Sequence, residues 1–137
     1  LSQFTSDWYE SQLAKQRGWL KTMPAPAPPV KVSRKNRPLE KVIQQEIARH
    51  LDSIGECYYV WHRTDMRTTC AIGTPDFVGA WRGVAFAIEA KRPGEKPSDE
   101  QCKHLAKAMI AGMKTCIAYC LDDVKCFFSE FAFDNRQ

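Results

Sequence analysis

What this chain lacks narrows it first. No apolar run approaches the ~18 residues needed to cross a bilayer, and no basic-then-apolar signal segment stands at its start, so neither membrane insertion nor secretion is expected. The six cysteines, at positions 57, 70, 102, 116, 120 and 126, include no Cys-x-x-Cys pair, which removes the usual ligand spacing of a structural zinc site. His50, His62 and His104 share no ligand spacing either. An even cysteine count argues for disulfides only in a secreted chain too poor in apolar residues to fold alone. Here 44% of residues are apolar, and Cys116 and Cys120 fall inside an apolar run. Free cysteines behave there as small hydrophobes, so reduced, buried, intracellular thiols are expected. A cysteine-based redox or zinc protein is disfavoured.

At 137 residues the chain can build one compact domain but not two ordinary ones. Its formal charge is +4, with 20 basic against 16 acidic residues, a surplus that permits nucleic-acid binding without demanding it. Between positions 31 and 41 lie Lys31, Arg34, Lys35, Arg37 and Lys41, opposed only by Glu40. Taken alone, such a run serves equally well as a solvated linker.

Prolines at 24, 26, 28 and 29 force a stiff, extended connector through Met23–Val30. They separate an N-terminal arm and linker (1–36), with a helix over Leu1–Leu20 carrying Phe4, Trp8, Leu13 and Leu20, from a core domain (37–137). The arm packs on the core, on a partner or on nothing; the residues do not decide. From Pro38 the pattern turns helical, with Leu39, Ile43, Ile47, Leu51 and Ile54 at three- and four-residue spacing before Gly55. Glu40 falls on that inward stripe, three residues before Ile43 and seven before Ile47, whereas Glu46 falls off it. A carboxylate facing a core calls for a partner, because burying an unpaired charge is costly.

Cys57–His62, rich in aromatic and β-branched residues, predicts a strand, and Arg63–Gly73 a polar, basic loop. Asp76–Trp81 predicts a second strand, with Arg82-Gly83 turning tightly into a third, Val84–Lys91. A helix follows from Ser98, its N-cap, to Gly112, then a strand over Thr115–Cys120 and a short helix capped by Asp122 or Asp123 and ending at Phe128. The order is α-β-β-β-α-β: an α/β core with a mixed sheet flanked by helices.

On the third strand Phe86, Ile88 and Ala90 share one face, and Ala87, Glu89 and Lys91 the other. Opposite charges at i and i+2 are unexpected on a strand apolar enough to be covered on both sides. The short hairpin brings Asp76 opposite the Glu89–Lys91 end. Two carboxylates and a backbone carbonyl suit a hard cation such as Mg²⁺, leaving room for waters and a phosphate. A neighbouring lysine can orient or deprotonate water and hold that phosphate. The chemistry that fits is phosphodiester hydrolysis. An aspartate followed at a distance by Glu-x-Lys is weak by itself, and an edge-strand ion pair is the plain alternative.

Three blocks sharpen it: Gly73-Thr-Pro-Asp76-Phe77, Ile88-Glu-Ala-Lys-Arg-Pro-Gly94 and Lys96-Pro-Ser-Asp-Glu-Gln101. In order and spacing, from about Pro38 to Phe128, the chain resembles the VRR-NUC branch of the PD-(D/E)XK nucleases. The resemblance implies a restriction-endonuclease-like core with Asp76, Glu89 and the carbonyl of Ala90 as ligands of Mg²⁺, for which Mn²⁺ would substitute. It implies that Lys91 is the catalytic lysine, that Gln101 is the active-site glutamine, and that Glu40 contributes through metal or water. It also implies a cytoplasmic, phage or bacterial endonuclease acting on branched DNA, foremost a homodimeric Holliday-junction resolvase. Flap or nick-type cleavage, a restriction-type enzyme and a catalytically silent nucleic-acid-binding module are the alternatives. The arm matches nothing in the family pattern. Phosphate contacts are expected from Arg63, Arg67, Arg92, Lys96 and Lys103, each of which could equally be a solubilising surface charge.

Overall fold

A computed structural model describes residues 5–17, 38–63 and 70–134. Along these the chain forms α1 (Ser6–Arg17), α2 (Glu40–Ser53), β1 (Cys57–Trp61), β2 (Phe77–Trp81), β3 (Val84–Ala90), α3 (Asp99–Ile110), β4 (Lys114–Ala118) and α4 (Leu121–Asp134). The proline run, Phe4, Leu20 and Arg67 lie outside the described residues. None of the described helices is long and apolar enough to cross a membrane.

Arg82 and Gly83 both take positive φ, 49° and 81°, the backbone of a tight turn whose twist matches that of its strands. It fixes β2 and β3 as antiparallel neighbours with Phe77 opposite Ile88 and Trp81 opposite Val84. β1 pairs antiparallel on the outer side of β2, and β4 lies parallel to β3, giving a mixed sheet in the order β1-β2-β3-β4. Parallel neighbours need a crossover, which α3 supplies. The C-terminal ends of β1, β3 and β4 and the start of β2 therefore share one edge of the sheet.

The alternation read on β3 holds. Phe86, Ile88 and Ala90 join Phe77, Cys116 and Ala118 beneath α2 and α4, which contribute Ile43, Ile47, Leu51, Val124, Phe127, Phe128 and Phe131. Phe128 meets Phe86 and Trp81 edge-on, with ring centroids 5.1 and 5.2 Å apart. On the opposite side Ala87 packs with Val78, Ile117, Leu105 of α3 and Tyr9 of α1. The result is three layers, with helices on both sheet faces. The helix of the N-terminal arm thus lies against α3. Tyr9 is wholly buried and its hydroxyl donates to Thr115 Oγ1 at 2.6 Å, while Thr5 Oγ1 caps the helix by accepting from the Trp8 N–H at 3.2 Å.

Two expectations need correction. The last helix neither starts at Asp122 or Asp123 nor stops at Phe128: it runs Leu121–Asp134. Both aspartates sit in its first turn, where Asp123 Oδ2 accepts from the Tyr119 N–H at 2.8 Å. Phe131, one turn beyond Phe127, extends the apolar face past the expected end. The cysteines are not uniformly buried either. Cys102 and Cys116 are, Cys57 is half-buried, and Cys70, Cys120 and Cys126 are exposed. β4 ends at Ala118, so Cys120 falls in the turn after the strand rather than within it. Among the described residues no two cysteines form a disulfide.

Candidate active site

Four segments converge on the shared sheet edge. Glu40 opens α2, where an acid in the first turn meets the positive end of the helix dipole. One turn on, Gln44 is 6% exposed, and its Nε2 donates to Glu40 Oε1 at 3.4 Å. Asp76 immediately precedes β2, so the Phe77–Ile88 register sets it opposite Glu89. Its Oδ2 accepts the Ala90 N–H at 2.9 Å, and its main-chain carbonyl accepts the His62 N–H at 2.7 Å. The carboxylate is thereby held from β3 and its backbone from the end of β1.

Glu89 is 1% exposed. Its Oε1 accepts from Gln101 Nε2 at 2.6 Å and lies 3.4 Å from Lys91 Nζ. Among the described residues its Oε2, equally buried, has no hydrogen-bond partner. Lys91 extends the β3–β4 ladder by one residue, donating its N–H to the Ala118 carbonyl at 2.9 Å, and its ammonium lies 3.8 Å from Glu40 Oε2. Gln101 reaches the site because Ser98 and Gln101 form a reciprocal capping box: Ser98 Oγ accepts the Gln101 N–H, and Gln101 Oε1 accepts the Ser98 N–H at 2.8 Å. With its carbonyl end occupied, Gln101 has only its NH₂ end to offer Glu89, which settles the amide orientation.

Three carboxylates thus share one ammonium in a place largely shut off from water. Burial raises the Asp76 pKa to about 6 despite the Ala90 N–H and the Lys91 charge, with Glu40 adding to the rise. Burial first, and then the facing Asp76, raise Glu89 to about 8 against the pull of Lys91. The site is short of positive charge and contains an oxygen with no partner, so its donor set fits a cation. Among the described residues no three histidine, cysteine or acidic side chains converge as a cage for a metal. A pair of carboxylates with waters filling the remaining positions is how Mg²⁺ is ordinarily held.

All five residues singled out from sequence as catalytic, Glu40, Asp76, Glu89, Lys91 and Gln101, stand together here. Gln44 is the one that reading passed over. Its signal was present: it lies one turn after Glu40 and three residues before Ile47, on the same inward stripe. Gly73, in the loop before Asp76, is also tightly placed. At φ +87°, a Cβ there would stand 2.5 Å from the carbonyl carbon of Glu100, so the backbone of this loop rests on the first turn of α3.

The expected phosphate-binding residues scatter more widely. Arg63 is exposed just past β1, its guanidinium 5.3 Å from the centroid of the Trp61 ring. Arg92 Nε donates to the Pro38 carbonyl at 3.2 Å, tying the residue after Lys91 to the entrance of α2. Lys96 is exposed in the loop before α3, and Lys103 lies 3.4 Å from Glu100 on α3 itself.

In sequence, the chain matches no family profile and no curated protein. In structure it is similar to a solved chain described as a VRR_NUC domain, with a TM-score of 0.53 at 18% identity, covering 66% of this chain and 94% of that one. The likeness is one of fold, which in this chain is a mixed four-stranded α/β sheet flanked by helices.

Proposed function

We propose that this chain is a metal-dependent DNA endonuclease of the VRR-NUC type, with Glu40, Asp76, Glu89, Lys91 and Gln101 as its active site. The observation that carries the reading is Glu89. It is a carboxylate buried on a central strand, facing a second buried carboxylate, with one oxygen that has no partner among the described residues. A structural ion pair would be expected to satisfy both oxygens. The shared VRR_NUC fold and the three sequence blocks that resemble that family support the same reading.

Asp76, Glu89 and the carbonyl of Ala90 would hold Mg²⁺, or Mn²⁺ in its place. Such an ion supplies a Lewis acid and a water acidic enough to attack phosphorus near neutral pH. The chain's own groups do the rest. Lys91, 12% exposed, carries the ammonium that holds the scissile phosphate and exchanges a proton with the attacking water. Gln101, fixed by its capping box, fixes Glu89 in turn. Glu40 steadies the ammonium from the other side. Arg63, Arg67, Arg92, Lys96 and Lys103 would meet the phosphate backbone, and recognition would follow shape rather than base sequence.

For substrate, branched DNA is the finer reading, with Holliday-junction resolution by a homodimer foremost. One centre per chain cuts one strand at a time, so symmetric incision of a four-way junction needs two copies. The test is cleavage of a labelled junction, flap, splayed arm and linear duplex, with Mg²⁺ or EDTA, by wild type and Lys91→Ala. Paired symmetric cuts in the junction alone, lost with EDTA and in the variant, are the expected result. Metal-dependent cutting of flaps would keep the site and replace the substrate. Wild type and variant equally inert on every substrate would favour the silent binding module.

A further inference from the structure

His62 has no part in the chemistry above, although it holds the backbone on both sides of Asp76. Cys57, Tyr59 and Trp61 of β1 pack toward α2 and α4, so alternation puts the His62 side chain on the sheet face of Glu89 and Lys91. Its own N–H donates to the Asp76 carbonyl at 2.7 Å, continuing the β1–β2 pairing one residue past Trp61–Phe77. Its ring Nδ1 lies 2.9 Å from the Pro75 carbonyl. A carbonyl oxygen only accepts, so Nδ1 carries the proton of this bond. Both peptide planes that flank the Asp76 Cα are thus held by one residue.

The register of β2 on β3 explains why the ring is needed. Carried two residues past Phe77–Ile88, that register sets the Ala90 N–H against the Pro75 carbonyl. The Ala90 N–H goes instead to Asp76 Oδ2, at 2.9 Å. Asp76 has taken the donor that regular pairing would give Pro75. Pro75 is buried, where a carbonyl left without a donor is costly. The His62 ring supplies the replacement.

We propose that His62 is a positioning residue for Asp76: by satisfying the Pro75 carbonyl it leaves the Ala90 N–H to the carboxylate and fixes the direction in which that carboxylate points. The inference rests on the nuclease reading above, and it assigns His62 no contact with the reacting atoms. Without the ring, the Pro75 carbonyl and Asp76 Oδ2 compete for one N–H. Removing such a support around a metal centre typically weakens metal binding by about 10–100-fold.

The measurement is Mn²⁺ affinity by electron paramagnetic resonance on the full chain, for wild type, His62→Leu and His62→Asn. Leucine removes the donor. Asparagine restores it, because its Nδ2, like the imidazole Nδ1, is bonded to Cγ. His62→Leu should bind about tenfold more weakly, with the Mg²⁺ needed for half-maximal cleavage raised by the same factor and the KM for DNA unchanged. His62→Asn should recover most of that loss. Tyr9→Phe, which gives up a buried hydrogen bond outside the site, is the control: it should melt lower yet bind Mn²⁺ as wild type does. An unchanged Mn²⁺ affinity in His62→Leu would overturn the inference. So would a loss that asparagine fails to recover, or one that Tyr9→Phe reproduces. If His62→Leu does not fold, the ¹⁵N resonances of the wild-type ring decide: the neutral imidazole should carry its proton on Nδ1, and a proton on Nε2 contradicts the bond to Pro75. A wild type that binds no Mn²⁺ and cuts no DNA overturns the nuclease reading and this inference with it. A wild type that binds and cuts while His62→Leu matches it overturns this inference alone.

Discussion

The two faces of β3 meet burial in opposite ways. Phe86, Ile88 and Ala90 lie under α2 and α4 in a layer whose energy comes from apolar area and ring contacts, and swapping one hydrophobe for another there alters little beyond packing. One residue along, Ala87, Glu89 and Lys91 face the other way, and at the C-terminal end that face is charged and nearly as dry. The strand can hold both because side chains alternate. The apolar face anchors the backbone, and the anchored backbone fixes Glu89 where a side chain free to choose would seek water. The dry face supplies the rigidity, and the charged face spends some of the resulting stability on chemistry.

Substitutions should separate the faces. The largest effect is expected from Lys91→Ala: metal-dependent cleavage per folded molecule should fall about 10²–10⁴-fold, beyond any melting lost in EDTA when the buried carboxylates lose their ammonium, checked by single-turnover kinetics beside calorimetry. Phe86→Ala should do the reverse. It should cost about 3–5 kcal/mol in chemical denaturation and leave cleavage per folded molecule near wild type. A Phe86 variant that stays stable yet loses cleavage would mean that the two faces are not separable.

Gly73→Ala should fall between these. Its Cβ would meet the Glu100 backbone in a left-handed conformation, so about 1–3 kcal/mol of stability should go, together with part of the cleavage, as the Asp76 loop is pushed off the helix that carries Gln101. Tyr9→Phe is the mildest. Losing the hydrogen bond to Thr115 should cost about 1 kcal/mol, with no change in cleavage beyond what unfolding explains. A specific loss of cleavage in Tyr9→Phe would tie the N-terminal helix to the chemistry.

Much of this was legible in the residues because period carries direction. The alternation along Val84–Lys91 assigned both faces of β3, and the Arg82-Gly83 turn brought Asp76 opposite Glu89. Glu40 was legible from the helical stripe, and Ser98 as a cap. Gln44 lay on the same stripe, but a neutral amide carries no charge to make its burial look odd. The contact between Tyr9 and Thr115 spans 106 residues and leaves no local period to read. Cys120 and the end of α4 went astray for a related reason. An apolar run shows that a segment is buried without showing where a strand turns or how far a helix continues.

The central claim is that the carboxylate pair costs stability until a cation arrives, and Glu89→Gln tests it most directly. Both acids keep their protons to higher pH in the folded chain, Asp76 to about 6 and Glu89 to about 8, than at their ordinary values of 3.8 and 4.5. Over that range the unfolded chain binds fewer protons than the folded one, so stability in EDTA should decline as pH rises from about 4 to about 8. The measurement is the melting temperature of wild type and Glu89→Gln at pH 5 and pH 8, in EDTA and in Mg²⁺. The account predicts that in EDTA the variant melts above wild type at pH 8 but not at pH 5, and that Mg²⁺ stabilises wild type and not the variant. A variant that melts below wild type at pH 8, with the Mg²⁺ effect intact, would mean that Glu89 serves the fold rather than a cation.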